Sequence, residues 1–240
     1  MIAAKRAEFA RRGFVELTPL IGAELRERIA GEATAALDAF SLRRDVRIPA
    51  TGMSPRRYRI VPRDAIAAAC PRAAAYYRSP ELLGLLAHVA GEPVAPVPYV
   101  PEEFIATRLE RAGDTHGWHW DDYAFALVWV VRAPAASGGA ALEFVADVPW
   151  RKDAPRVEAI LAARPPSRVQ VGAGTVYLLR ADTTLHRVAP LVRDGLRDAL
   201  CFSYAAVRDL TRDVTHETLD YIFMPPMAPM ADALGMLPQA

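Results

Sequence analysis

Downstream of Val94 the chain becomes a succession of short runs of β-branched and aromatic residues broken by turn residues, at positions 104–109, 125–131, 141–145, 169–179, 186–191 and 200–206. Runs of this kind bury a face only by pairing with one another, so they commit this part of the chain to a sheet. The segment before them carries helical spacing instead. Thr18-Pro19 reads as an N-cap with proline at the first helical position, opening a helix with Ile21, Leu25, Ile29, Ala33, Leu37 and Phe40 on one stripe. A second helix is expected over 63–77, and Ser79-Pro80 starts a third that ends at Gly91. Helices first and a strand meander after predict an α+β fold: a double-stranded β-helix, the cupin-like jelly-roll barrel, flanked by N-terminal helices. The run 125–131 is apolar on both faces, as a central strand would be. Positions 146–167, rich in Pro, Arg and Ala, read as an exposed excursion with one short helix, and the proline-bearing stretch 224–240 as an extended tail.

Within the strand-rich half stands His119-Trp120-Asp121, answered downstream by His186. In an extended segment successive side chains point to opposite faces, so His119 and Asp121 share one face while Trp118 and Trp120 take the other. His186, in Thr184-Leu185-His186-Arg187-Val188, lies on a second strand-like piece able to supply a third ligand. Two imidazoles and one carboxylate on sheet segments form a facial triad that leaves coordination positions open for substrate and dioxygen, which points to a non-haem iron(II) oxygenase; on ligands alone, zinc stays open. A lone His-x-Asp is a weak signal, and satisfied structural histidines are the competing reading. What raises it is its company: Gly138-Gly139 in a turn between apolar strands, Gly174 opening another, and Gly195-Leu196-Arg197 ahead of Leu200-Cys201-Phe202-Ser203-Tyr204. His88, among Leu85, Leu86 and Ala87, reads as a core or surface histidine.

A length of 240 residues suits one β-rich domain over 1–240, and no Ser/Gly-rich linker divides it. The net charge of +1, with no long basic run, gives no global attraction to nucleic acid or anionic membrane, so a small-molecule partner is expected, with a homodimer compatible. Cys70 and Cys201 are the only cysteines, both in apolar contexts, which argues against a disulfide framework and for a reducing, cytoplasmic compartment. Charges at Lys5, Arg6, Glu8, Arg11 and Arg12 are followed by no apolar run of signal-peptide type, and no stretch of about 18 apolar residues suggests a membrane span.

The run Thr115-His116-Gly117-Trp118-His119-Trp120-Asp121-Asp122-Tyr123-Ala124-Phe125-Ala126-Leu127, with 139–145 and 186–204, resembles the iron(II)/2-oxoglutarate-dependent oxygenases. More narrowly it is similar to the BesD-type family of free amino-acid halogenases and hydroxylases, in scattered blocks over 56–204. The resemblance implies iron(II) held by His119, Asp121 and His186, O2 as oxidant, and Arg197 pairing with the distal carboxylate of 2-oxoglutarate, for which a guanidinium fork is suited. The competing place for Arg197 is the surface, paired with Asp194 or Asp198. In the halogenases of this family a glycine stands at the Asp121 position and vacates a site for chloride; the carboxylate kept here favours hydroxylation. His116 and Arg56 match positions for the substrate's carboxylate end, and Glu102, Asp122 and Ser203 those for its ammonium groups. Against this, Glu102-Glu103 reads as a solvated pair and Arg56-Arg57 as loop surface beside Pro55. The family's C-terminal tryptophan pair over the substrate has no counterpart after Trp150, and Tyr221 or Phe223 stands in for it. The implied reaction hydroxylates an unactivated C–H bond of a free, basic, lysine-like amino acid, releasing succinate and CO2. The alternatives are another small metabolite, a desaturation or cyclisation outcome, or a non-catalytic metal-binding barrel.

Overall fold

The computed structural model describes residues 1–224. The helices are α1 (Ile2–Arg12), α2 (Ala23–Phe40), α3 (Arg63–Ala69), α4 (Pro71–Tyr77), α5 (Pro80–Ala90), α6 (Val157–Ala163) and α7 (Glu217–Phe223). The strands are β1 (Phe14–Glu16), β2 (Leu42–Ile48), β3 (Ser54–Val61), β4 (Val94–Pro96), β5 (Phe104–Leu109), β6 (Thr115–His119), β7 (Phe125–Arg132), β8 (Leu142–Val145), β9 (Ser167–Val169), β10 (Val176–Arg180), β11 (Leu185–Val188) and β12 (Arg197–Ala206). They form one antiparallel sheet in the order β1-β10-β7-β12-β5-β3-β6-β11-β8-β9, with β2 on β3 and β4 on β12. β3 joins the two halves: Ile60 pairs with Thr107 of β5, while Arg56 pairs with His116 of β6. The sheet curls into the jelly-roll half-barrel with helices on its outer face.

Both faces of β7 are buried, as its double-sided apolar run requires. Phe125, Leu127 and Trp129 pack outward with Ile29, Leu37 and Tyr77 in the helical layer. Ala126, Val128 and Val130 pack inward with Phe14, Leu142, Phe144 and Tyr177. Buried charges clamp neighbouring strands. Asp198, fully buried on β12, takes Arg108 of β5 at 2.8 Å and Arg132 of β7 at 2.5 Å. Glu143 of β8 takes Arg168 and Arg187, and Glu103 takes Arg63 and Arg78.

Several expectations shift by local chemistry. Thr18 is not an N-cap: its hydroxyl accepts the Val176 N–H at 2.9 Å, Thr18–Leu20 is a short 3-10 turn, and α2 begins only at Ala23. Ile29, Ala33 and Leu37 are buried as expected, but Phe40 at the helix end is exposed. The helix expected over 63–77 is two, because Pro71 has no N–H to continue α3 and starts α4 instead. Ser79 does cap α5, accepting the Leu82 N–H, and Gly91 closes it at φ 78. The run 169–179 is interrupted by a turn, so β9 ends at Val169 and β10 starts at Val176. β11 stops at Val188, ahead of Pro190. Strands β1, β2 and β3 precede or interrupt the helical segment, which helices-then-strands reading did not foresee. The 146–167 excursion does hold one short helix, α6, but is tied down: Trp150 stacks on Trp120 at 6.0 Å and donates to the Ala50 carbonyl. Of the expected tail 224–240, all but Met224 lies outside the described residues. No helix among the described residues is long and apolar enough to cross a membrane.

At Gly117 the hairpin β2–β3 presses directly on β6. A Cβ there would meet the Pro55 carbonyl oxygen at 2.5 Å, a backbone atom that cannot swing aside. Gly117→Ala is therefore expected to destabilise the fold by about 1–3 kcal/mol, a fall in Tm of roughly 2–10 °C. Gly172→Ala, whose Cβ would meet nothing within 4 Å, serves as the neutral control in the same thermal melt.

Candidate metal centre

Antiparallel pairing of β11 with β6 sets His186 directly opposite His119, their rings 4.1 Å apart. Each imidazole is oriented from behind. His119 Nδ1 lies 2.7 Å from the Gly117 carbonyl and His186 Nδ1 2.9 Å from that of Thr184. This arrangement fixes Nδ1–H as the donor and leaves Nε2 as a free lone pair. Asp121, just past the end of β6, is held by its N–H to the Ala181 carbonyl. Its Oδ1 stands 3.6 Å from His119 Nε2 and 3.8 Å from His186 Nε2. Trp118 and Trp120 face away into a separate apolar cluster, as strand alternation requires. Burial lowers both histidines below the ordinary range, so they are neutral and metal-competent, while enclosure raises the Asp121 carboxyl. Two imidazoles and one carboxylate brought together, with both rings braced by carbonyls, fit a divalent ion better than they fit a self-sufficient core.

The pocket that holds these donors is lined also by Ala126, Val128, Leu142 and Leu179, with Arg197 among them. Arg197 is only 3% exposed, and its Nε has no partner. The surface reading fails, because Asp198 is taken by Arg108 and Arg132, and Asp194 accepts the Ala112 N–H. A buried guanidinium without a carboxylate is costly unless an anion arrives to pair with it, so the residues fit a dicarboxylate whose distal end reaches Arg197. Tyr177, buried beside Arg197, and Thr107 also line the pocket. Neither was singled out from the sequence, although Tyr177 alternates with Leu179 on the inward face of β10.

Of the remaining sequence-predicted residues, His116, Glu102, Asp122 and Ser203 line the same pocket, and Arg56 stands outside its lining. His116 lies flat on His119 with rings 4.0 Å apart. Arg56 is on a strand, not in a loop; it is fully buried in register with His116, and its Nε and one terminal nitrogen have no partner. Arg57, beside it, is the outward neighbour and pairs with Asp45. Tyr58, two residues beyond Arg56 on the same face, also lines the pocket and could have been found from strand alternation. The Glu102-Glu103 pair is not solvated: Glu103 serves the two arginines described above, and Glu102 lines the pocket with Asp122 and Ser203. Burial pushes Glu102 up to about 7. Burial, and next the Glu102 charge, push Asp122 up to about 8 against the pull of Lys152. His216, stacked on Tyr99 with its Nδ1 3.2 Å from Glu102, completes this cluster. It comes from a segment far downstream and outside any strand, where the sequence carries no sign of it. The roof is α7, but through Thr218, Leu219 and Ile222; Tyr221 points outward and Phe223 packs beside Ile48 and Tyr58.

A family model described as Halogenase D matches residues 1–224. The fold is similar to that of the non-heme alpha ketoglutarate dependent epimerase SnoN from nogalamycin biosynthesis, at 15% identity over 85% of this chain and 83% of that one, with a TM-score of 0.64. It is similar also to AviO1 from Streptomyces viridochromogenes Tue57, at 20% identity over 86% and 96%, TM-score 0.61. A Pseudomonas putida prolyl-4-hydroxylase is similar at 16% identity over 85% and 98%, TM-score 0.55. At such identities the likeness is one of fold. No curated protein matches the sequence. The match along all the described residues, on this barrel and this donor set, makes the chain a member of the Halogenase D family.

Proposed function

We propose that this enzyme hydroxylates an unactivated C–H bond of a free amino acid, with His119, Asp121 and His186 as the iron ligands and Arg197 as the partner of the distal carboxylate of 2-oxoglutarate. The observation that carries the hydroxylase reading is Asp121, a carboxylate placed within 3.6 Å and 3.8 Å of the two imidazoles, where halide coordination would need the position vacant. Bound iron and 2-oxoglutarate supply the oxidising chemistry, with succinate and CO2 released. The protein supplies position and dryness. Apolar walls at Val128, Leu142 and Leu179 would exclude water from around the cosubstrate, and Leu219 and Ile222 line the same pocket.

The finer reading concerns the substrate. Arg56, a buried cation in want of an anion, and His116 suit its carboxylate; Glu102, Asp122 and Ser203 suit its ammonium groups. Two carboxylates in one recess support a basic, lysine-like amino acid. Product mass tests the outcome: a gain of one oxygen atom, labelled from 18O2 and free of chlorine in chloride buffer, is the expected result, and loss of two hydrogens the contrary one.

His119→Ala or His186→Ala is expected to abolish tight Fe(II) binding under anaerobic conditions, whereas unchanged affinity in both variants removes the triad. Arg197→Leu separates stability from binding. It should leave the melting temperature without 2-oxoglutarate unchanged or raised, because an unpaired buried charge is removed. The same change should weaken 2-oxoglutarate by about 1.5–3 kcal/mol, roughly tenfold to a hundredfold. A large loss of stability with normal cosubstrate affinity would assign Arg197 a structural role. For the substrate recess, Asp122→Asn and Glu102→Gln should each cut substrate-coupled succinate formation by about an order of magnitude or more, near 2 kcal/mol. Iron and 2-oxoglutarate binding, read from metal-to-ligand absorption, should stay normal. Wild-type turnover of the best amino acid by both variants would move the substrate to uncharged molecules.

A further inference from the structure

The recess assigned above to a substrate ammonium is already approached by an ammonium of the chain itself. Lys152, carried on the excursion between β8 and β9, places Nζ 2.5 Å from Asp122 Oδ1 and 3.0 Å from Glu217 Oε2. The same nitrogen donates to the Thr215 carbonyl at 2.5 Å and to its hydroxyl at 3.0 Å, and it sits 4.5 Å from the centre of the Trp150 ring. Two carboxylates, a carbonyl and an aromatic face make a complete alkylammonium site. The choice of residue is informative. Among 29 basic residues only Lys5 and Lys152 are lysines, and a compact ammonium with three donors suits these converging oxygens.

The geometry points to Lys152 as a specificity-determining residue that competes with a cationic substrate group for Asp122. This rests on the reading of Glu102 and Asp122 as the ammonium recess of an amino-acid pocket. Asp122 lines the pocket with Glu102, and Lys152 meets the same carboxylate from the excursion, so a substrate ammonium on Asp122 would stand close to a second positive charge. Lys152 thereby sets the balance between basic and neutral amino acids: held in place it favours a neutral end, and drawn off toward Glu217 and Thr215 it releases Asp122 to a basic one.

Binding, measured by calorimetry on the anaerobic iron- and 2-oxoglutarate-loaded protein, tests this without turnover. The probes are L-lysine, its uncharged counterpart L-norleucine, and butylammonium ion. In Lys152→Met, L-lysine and butylammonium should bind at least about tenfold more tightly than in the wild type, while L-norleucine is unchanged. Lys152→Arg, which keeps the charge, should stay near the wild-type ratio. Lys152→Gln, checked like the others by thermal melting, replaces Lys152→Met if the latter does not fold. No gain for the cations, or an equal gain for L-norleucine, overturns the competition and leaves Lys152 as a tie between the excursion and the roof. Failure of both amino acids to bind any of the proteins overturns the amino-acid reading instead. In that case butylammonium alone decides: a gain in Lys152→Met upholds Lys152 as the competitor, and equal affinity in both proteins overturns it.

Discussion

The pairing of β11 with β6 is the interaction on which the site depends, because it brings His186 beside His119 across a single rung of the ladder. A one-residue slip would turn one imidazole out of the barrel and scatter the donors. The register is held from both sides. β8 pairs with β11 and delivers Glu143 to Arg187, and β6 is pressed against the β2–β3 hairpin at Gly117, where only a hydrogen fits. The backbone carbonyls that orient the two rings come from the same strands, so ladder and ligand orientation are one construction.

Buried charge separates framework from function in this molecule. Asp198, Glu143 and Glu103 each lie between two arginines and tie strands or helices together. Arg197 and Arg56 are buried to the same degree and have no carboxylate partner among the described residues. A fold selected for stability alone would not keep them, since an uncompensated interior cation destabilises by several kcal/mol. Arg197 lines the pocket, and Arg56 stands in register with His116, which lines it too, so each of the two proposed anions has a buried cation near at hand.

Membership of a halogenase family and possession of Asp121 are reconciled at a single position. In the proposed reading the barrel, the paired imidazoles and Arg197 serve the shared iron and 2-oxoglutarate chemistry, and the side chain at position 121 decides whether a coordination place is free for halide. The recess formed by Glu102, Asp122 and His216, with Lys152 against Asp122, begins one residue beyond Asp121, and the proposed substrate ammonium belongs there.

How much of this was readable without coordinates follows from the range of the interactions involved. Period-two alternation around His119 and Asp121, the apolar run of β7, the Ser79 cap and the Gly91 stop are all local, and local sterics and hydrogen bonding determine them wherever the chain goes. The jelly-roll class and the convergence of His119 and Asp121 with His186 were legible for that reason, and Arg197 was singled out only through its resemblance to a family pattern. Only the tertiary structure decided that Arg56 is an interior strand residue, because Arg56-Arg57 beside Pro55 looks like surface until β3 is seen wedged between β5 and β6. It alone also brought His216 and Lys152 to Asp122. Those contacts join segments with no shared periodicity, and burial, which changes a charged side chain from a solvated ornament into a binding group, is a property of the packed chain and not of any stretch of its sequence.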